Sequence, residues 1–432
     1  MTAATDLASS GTASGSSDSR VSATTLDCGL SVVVEPMADV RSVAVGFWVG
    51  TGSRDEAGPQ AGASHFLEHL LFKGTEERSA RAIAEAIDEV GGDINAFTTK
   101  EYTAFYLRVL SDALDLGLDI LSDIMWQPAF RSEDIEAERQ VILEEILMHA
   151  DEPADLVHEV LADAMWPSHP LGRDVLGSEE TIEALQRDDI ASFHRHHYRP
   201  GNIVLAAAGD VDPAALAAGI GARFRGGVGG GEPPRHGPAE ASRSLAVLNR
   251  STEQAHLMVG YRAFDRDDED RFALAVLDHI VGGGMSSRLF QEIREDRGLA
   301  YSVYSYRSLY ATTGTWAVYA GTAPNHAQEV LRLITVEIDK VLEGGATARE
   351  LAMAKSHLRG SLALALEDSG ARMNRLGRSQ LVHGRVPSLE EVDELLEAVS
   401  LDDLNRVTAR VLGGPRTIAA VGPFHEEDFA GG

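Results

Sequence analysis

The chain has 432 residues, 44% of them apolar and 24% charged, which suits a soluble globular protein of two domains better than a single core. Its formal net charge of −29 leaves no basic stripe for nucleic acid, and no apolar run approaches the length of a membrane span. A single cysteine, Cys28, excludes an internal disulfide and a thiolate zinc site, and fits a reducing cytoplasm.

Residues 1–20 are rich in Ser, Thr, Ala and Gly, lack a secretory pattern, and read as a disordered tail. Strands are expected over 30–35 and 42–49, the second (SVAVGFWV) strongly apolar. A loop with Gly52, Gly58, Pro59 and Gly62 leads to helices from His65 and over 79–90. Strands over 93–97 and 102–109 follow, then helices over 111–125, 132–149 and 189–198, and a buried strand over 202–208. The segment RGGVGGGEPPRHGP, with six glycines and three prolines, cannot pack a core and reads as a linker over 226–238. Beyond it the order recurs: a strand at 255–261, helices at 270–281 and 287–294, strands at 301–306 and 315–320, and helices at 326–342 and 349–367. The ends of the two halves, GSEETIEALQRDDIASFHRHHYRPGNIVLAAAGDV and PSLEEVDELLEAVSLDDLNRVTARVLGGPRTIAAVGPF, share one pattern of helix, helix, turn and apolar strand. The fold class is therefore α+β, with a duplicated unit: one domain over 21–225 and a homologous one over 239–428.

The chemistry concentrates in His65-Phe66-Leu67-Glu68-His69. On a helix, positions i and i+4 share a face, so both imidazoles reach one ion. Glu68 sits beside that face, where a general base for an activated water belongs. This is the inverted form of HExxH. A zinc site of this kind needs a third protein ligand and an open fourth position. Glu138, Glu144 and Glu145 on the helix containing ERQVILEEI all offer carboxylates, and position alone does not choose among them. The cluster His194, His196 and His197 has no evident partner and reads as surface; His169 reads as structural.

HFLEHLLFKGT and ERQVILEEI together resemble the inverzincin family, which includes pitrilysin, insulin-degrading enzyme and the mitochondrial processing peptidase. The resemblance extends through GGDINAFTTKEYTAFY, HPLGRDVLGSEETI, YRPGNIVLAAAGD and SSRLFQEIREDRGLAYSV, from about residue 22 to 424, and looks most like the processing-peptidase β-subunit and its bacterial single-chain relatives. It implies two homologous domains, each a mixed or antiparallel sheet flanked by helices, forming a clam-shell half. It implies one zinc ion per chain, with Glu145 as the third ligand and Glu138 as its support. It implies an endopeptidase acting on peptides, leader segments or unfolded polypeptide, with Asn95, Ala96 and Phe97 on a substrate-binding edge strand. Arg294 and Tyr301 match a family pair that reaches substrate, Tyr301 as a donor to the developing oxyanion. The second half lacks HxxEH, Asp278-His279 lying near where it would fall, and is expected to be non-catalytic. A homodimer is expected, or else a heterodimer. The rival readings are an inactive structural or partner subunit of the same fold, and a metal-dependent hydrolase of a non-peptide bond.

Overall fold

The computed structural model describes residues 20–238 and 240–429; apart from Arg20, the tail expected over 1–20 lies outside them. In chain order the first half runs β1 (Ser22–Thr25), β2 (Ser31–Pro36), β3 (Ser42–Val49), α1 (Ala63–Leu71), α2 (Ala80–Glu89), β4 (Asp93–Thr98), β5 (Thr103–Leu110), α3 (Leu114–Trp126), α4 (Ser132–Ala150), α5 (Pro153–Met165), α6 (Glu179–Ala184), α7 (Arg187–His197), β6 (Ile203–Gly209) and α8 (Pro213–Arg223). The second runs β7 (Leu245–Asn249), β8 (Ala255–Ala263), α9 (Arg271–Val281), β9 (Ala300–Leu309), β10 (Gly314–Thr322), α10 (Ala327–Gly344), α11 (Ala348–Ala365), α12 (Ser369–His383), α13 (Leu389–Ala398), α14 (Leu401–Val411) and β11 (Arg416–Gly422). The helix expected over 287–294 is instead largely a π-helical turn, Phe290–Glu295.

One sheet has the order β1-β2-β6-β3-β5-β4 and the other β7-β11-β8-β10-β9. In each, one pair is parallel (β2 with β6, β7 with β11) and the remaining pairs are antiparallel. Apart from β1, the sheets match strand for strand in chain order, as a duplication requires. β3 is buried along almost its whole length because it is central and covered on both faces, which explains its unbroken apolar run. β4 lies at the edge of the first sheet and β9 at the edge of the second.

The compact units are not contiguous. The first holds the described residues up to Gln140 with Glu180–Pro233 and Ala365–Glu391; the second holds Val141–Glu179, Pro234–Leu364 and Val392 onward. They differ from the contiguous domains expected over 21–225 and 239–428 by two exchanged segments. α12, from the second half of the sequence, packs on β2, β3 and β6 of the first sheet. α5, from the first half, packs on β7, β8 and β11 of the second, the equivalent strands. The cause is apolar complementarity: Met373, Leu376 and Val386 join Val33, Ala44, Trp48, Val204, Ala206 and Ala208 in one cluster. Val157, Leu161 and Met165 join Met258, Ala317, Tyr319, Ala419 and Val421 in another. No helix among the described residues is long and apolar enough to cross a membrane.

Candidate metal centre

α1 begins at Gly62, whose φ of 92° is a left-handed conformation that glycine adopts without strain. The buried carboxylate of Glu56 caps its start, accepting from Gly62 N–H at 2.8 Å and Ser64 N–H at 2.7 Å. The helix therefore starts at a fixed point and angle. Four residues apart on it, His65 and His69 place their ring centroids 4.7 Å apart in an edge-to-face arrangement. Burial, and then the neighbouring His69, lower the His65 pKa to about 4, so its imidazole is neutral and ligand-competent at neutral pH.

α4 supplies the carboxylates. Ligand atoms of His65, His69 and Glu145 all lie within 4.8 Å of one another, where a tetrahedral zinc ion would draw its ligand atoms to about 3.3 Å apart. Two imidazoles and a carboxylate form a donor set that fits zinc. Seven residues earlier on the same continuous helix, Glu138 is buried and its Oε2 lies 3.0 Å from His69 Nδ1. A carboxylate only accepts, so Nδ1 carries the proton and Nε2 keeps the lone pair for an ion. Lys73 Nζ, at 2.5 Å from Oε1, holds the other oxygen of Glu138. Glu144 is exposed. Of the three carboxylates that sequence left open, one is thus grouped with the histidines, one supports a histidine, and one faces solvent.

Glu68 Oε2 accepts a hydrogen bond of 2.6 Å from Thr98 Oγ1, at the end of β4. Asn95, Ala96 and Phe97 lie on this same strand, which pairs with β5 on one side only. Asn95 is exposed, and its Oδ1 accepts from Ala96 N–H at 2.8 Å. Phe97 packs edge-on against Tyr102 and Tyr106. Thr98, Lys73 and Glu56 were not among the expected site residues.

In the second unit, the Arg294 guanidinium lies over the rings of Phe290 and Tyr301, 4.7 and 5.1 Å from their centroids. Tyr301 is 83% exposed, and the pair lines a cavity of about 420 Å³ with Glu253, Gln254 and Thr322. Aligning Asp278-His279 of α9 on Glu68-His69 puts Ala275 where His65 stands, so one ligand is missing. Asp278 is buried and committed elsewhere, accepting from Ser305 Oγ at 2.7 Å and Trp316 Nε1 at 2.9 Å. Burial raises its pKa. His279 stacks on His357.

The histidine cluster on α7 is corrected in one respect. His194 is buried, not on the surface, with its Nε2 3.0 Å from the Met125 carbonyl, and burial lowers its pKa to about 4. His197 approaches Thr51 Oγ1 at 3.3 Å, and His196 is exposed. His169 Nδ1 accepts from Leu171 N–H at 3.2 Å and so caps a short turn.

Residues 31–179 match the family model described as insulinase, peptidase family M16, and residues 184–358 match that of the peptidase M16 inactive domain. An uncharacterized zinc protease of Streptomyces coelicolor is 44% identical over 412 residues, 94% of this chain and 90% of the relative. One of Bacillus subtilis is 38% identical over 399 residues, 91% of this chain and 96% of the relative. A protease from Helicobacter pylori shares the fold with a TM-score of 0.87 at 24% identity, covering 93% of this chain and 99% of that one. A putative M16-like peptidase from Alicyclobacillus acidocaldarius does so with a TM-score of 0.83 at 22% identity, covering 94% and 98%. The inverted histidine motif, the duplicated sheets and these matches over nearly the whole length have one meaning: the chain belongs to peptidase family M16, the insulinase family.

Proposed function

We propose that the chain is a zinc metalloendopeptidase that cuts peptides or unfolded polypeptide. The carrying observation is the convergence of His65, His69 and Glu145 with ligand atoms within 4.8 Å of one another, on the helix pair that also holds Glu68 and Glu138. A bound zinc ion would supply a Lewis acid and acidify a water toward neutrality. Glu68 takes the proton of the attacking water and passes it to the leaving nitrogen. The open side of β4 pairs with the substrate backbone at Asn95, Ala96 and Phe97, which fixes the register of the scissile bond. Arg294 holds a substrate carbonyl, and Tyr301 donates to the oxygen on which charge develops. The exposure of Tyr301 and the cavity beside the pair support that role.

Glu68→Gln keeps the shape of the side chain and removes the base. It should retain one zinc equivalent and lose roughly 10²–10⁴-fold in kcat on a quenched peptide. Metal analysis and single-turnover cleavage of the purified chain read both quantities. A variant that turns over at the wild-type rate contradicts the assignment, and a wild-type chain that binds no zinc supports an inactive subunit instead.

A further inference from the structure

We propose that Thr98 is a positioning residue for Glu68, fixing one carboxylate oxygen from the end of β4 so that the other faces the reacting water. The inference rests on the peptidase reading above and adds a residue that the metal motif does not contain.

The bond runs from Thr98 Oγ1 to Glu68 Oε2 at 2.6 Å, the length of a hydroxyl donating to a charged oxygen. A glutamate on a helix face has rotamers to choose from, and a base must sit within hydrogen-bond reach of the proton it takes. Holding Oε2 removes the torsional freedom that would blur the aim of the carboxylate. Threonine suits the task because branching at Cβ restricts χ1, so the hydroxyl direction is set by the strand.

Both ends of the bond are anchored. At the α1 end, Glu56 caps the helix start. At the β4 end, the turn after Thr98 is closed by Thr99, whose Oγ1 donates to the Tyr102 carbonyl at 2.8 Å and accepts from Tyr102 N–H at 3.1 Å. Glu101 in that turn forms a buried ion pair with Arg54, which lies in the loop leading to α1. Arg54 N–H also donates to the Lys100 carbonyl at 2.8 Å. Strand and helix are thus braced against each other on both sides of the Thr98–Glu68 bond. Thr98 follows Asn95, Ala96 and Phe97 directly, so the strand that sets the substrate register also aims the base.

The test uses the full chain loaded with zinc. Thr98→Val keeps the branched shape and removes the hydroxyl; Thr98→Ser keeps the hydroxyl. We expect Thr98→Val to lower kcat on a quenched peptide about 10-fold, with KM and zinc content unchanged, and Thr98→Ser to restore kcat to within about threefold of wild type. An unchanged kcat in Thr98→Val, a loss shared with KM or zinc content, or no rescue by serine overturns the proposal. A wild-type chain that cleaves no peptide defeats the peptidase reading separately. The pair is then decided by a thermal-unfolding cycle of Thr98→Val and Glu68→Gln on zinc-free protein: coupled effects support the contact, and additive effects overturn it.

Discussion

Glu138 and Glu145 are identical side chains seven residues apart on α4, and their surroundings differ. Glu145 groups with His65 and His69, where the three could hold a metal ion. Glu138 instead accepts from His69 Nδ1 and is itself held by Lys73. Its removal should leave the ligand count intact but release the ring that it orients. Glu138→Ala is therefore expected to weaken zinc binding about 10–100-fold, and Glu145→Ala to weaken it further. Competition with a chelator of known affinity ranks the two; equal losses would make Glu138 a ligand in its own right. The pentapeptide from His65 to His69 was legible in sequence because helix geometry alone brings both imidazoles to one face. The different placement of Glu138 and Glu145 was legible only through the family resemblance and not from position, since it depends on where a second helix docks. Thr98 and Lys73 are unmarked in the sequence for a related reason. A threonine ending a strand and a lysine ending a helix carry no mark of a role until folding gives them a carboxylate neighbour.

At the scale of elements, the exchanged helices carry the most unexpected packing. α12 rests on β3 through Gly377, where an added Cβ would lie 2.2 Å from the Trp48 ring. Trp48 is fully buried, and neither the indole nor the sheet behind it can move aside cheaply. Gly377→Ala should therefore destabilise the fold by about 1–3 kcal/mol through overpacking, despite alanine's higher helix propensity. Denaturant unfolding followed by tryptophan fluorescence measures this, and a stabilised variant would show that the helix is not seated as described. The same glycine helps to make α12 illegible in the sequence. GARMNRLGRSQLVH has two glycines and several polar residues, so its local helical signal is weak. Its helix is stabilised by the sheet it covers, a long-range effect that periodicity does not encode. α1, β3 and β4 were legible within a few residues, because a breaker-rich loop, a continuous apolar run and a Gly-Gly turn mark their limits.

For the whole molecule, the duplication was readable from the repeated order of elements, and the two sheets repeat it strand for strand. The exchange of α5 and α12 was hidden, because each helix occupies its proper place in its own half of the sequence yet completes the other half's sheet. This has a consequence for folding. A fragment ending at Pro233 keeps the first sheet but lacks Met373, Leu376 and Val386, leaving Trp48, Val33, Ala44, Val204, Ala206 and Ala208 uncovered on one face. Burial of a large apolar side chain contributes about 1.5–3 kcal/mol, so losing several at once rivals the ~5–15 kcal/mol that stabilises an entire domain. The complementary fragment from Pro234 lacks Val157, Leu161 and Met165 against the second sheet. Each fragment alone should aggregate or bind a hydrophobic dye. Co-expressed, with a tag on one, the two should purify together, because α12 and α5 each seat on the other fragment. A first fragment that is soluble and unfolds cooperatively by itself would show that the helix exchange is dispensable, and that contiguous domains describe the folding units better than the packing does.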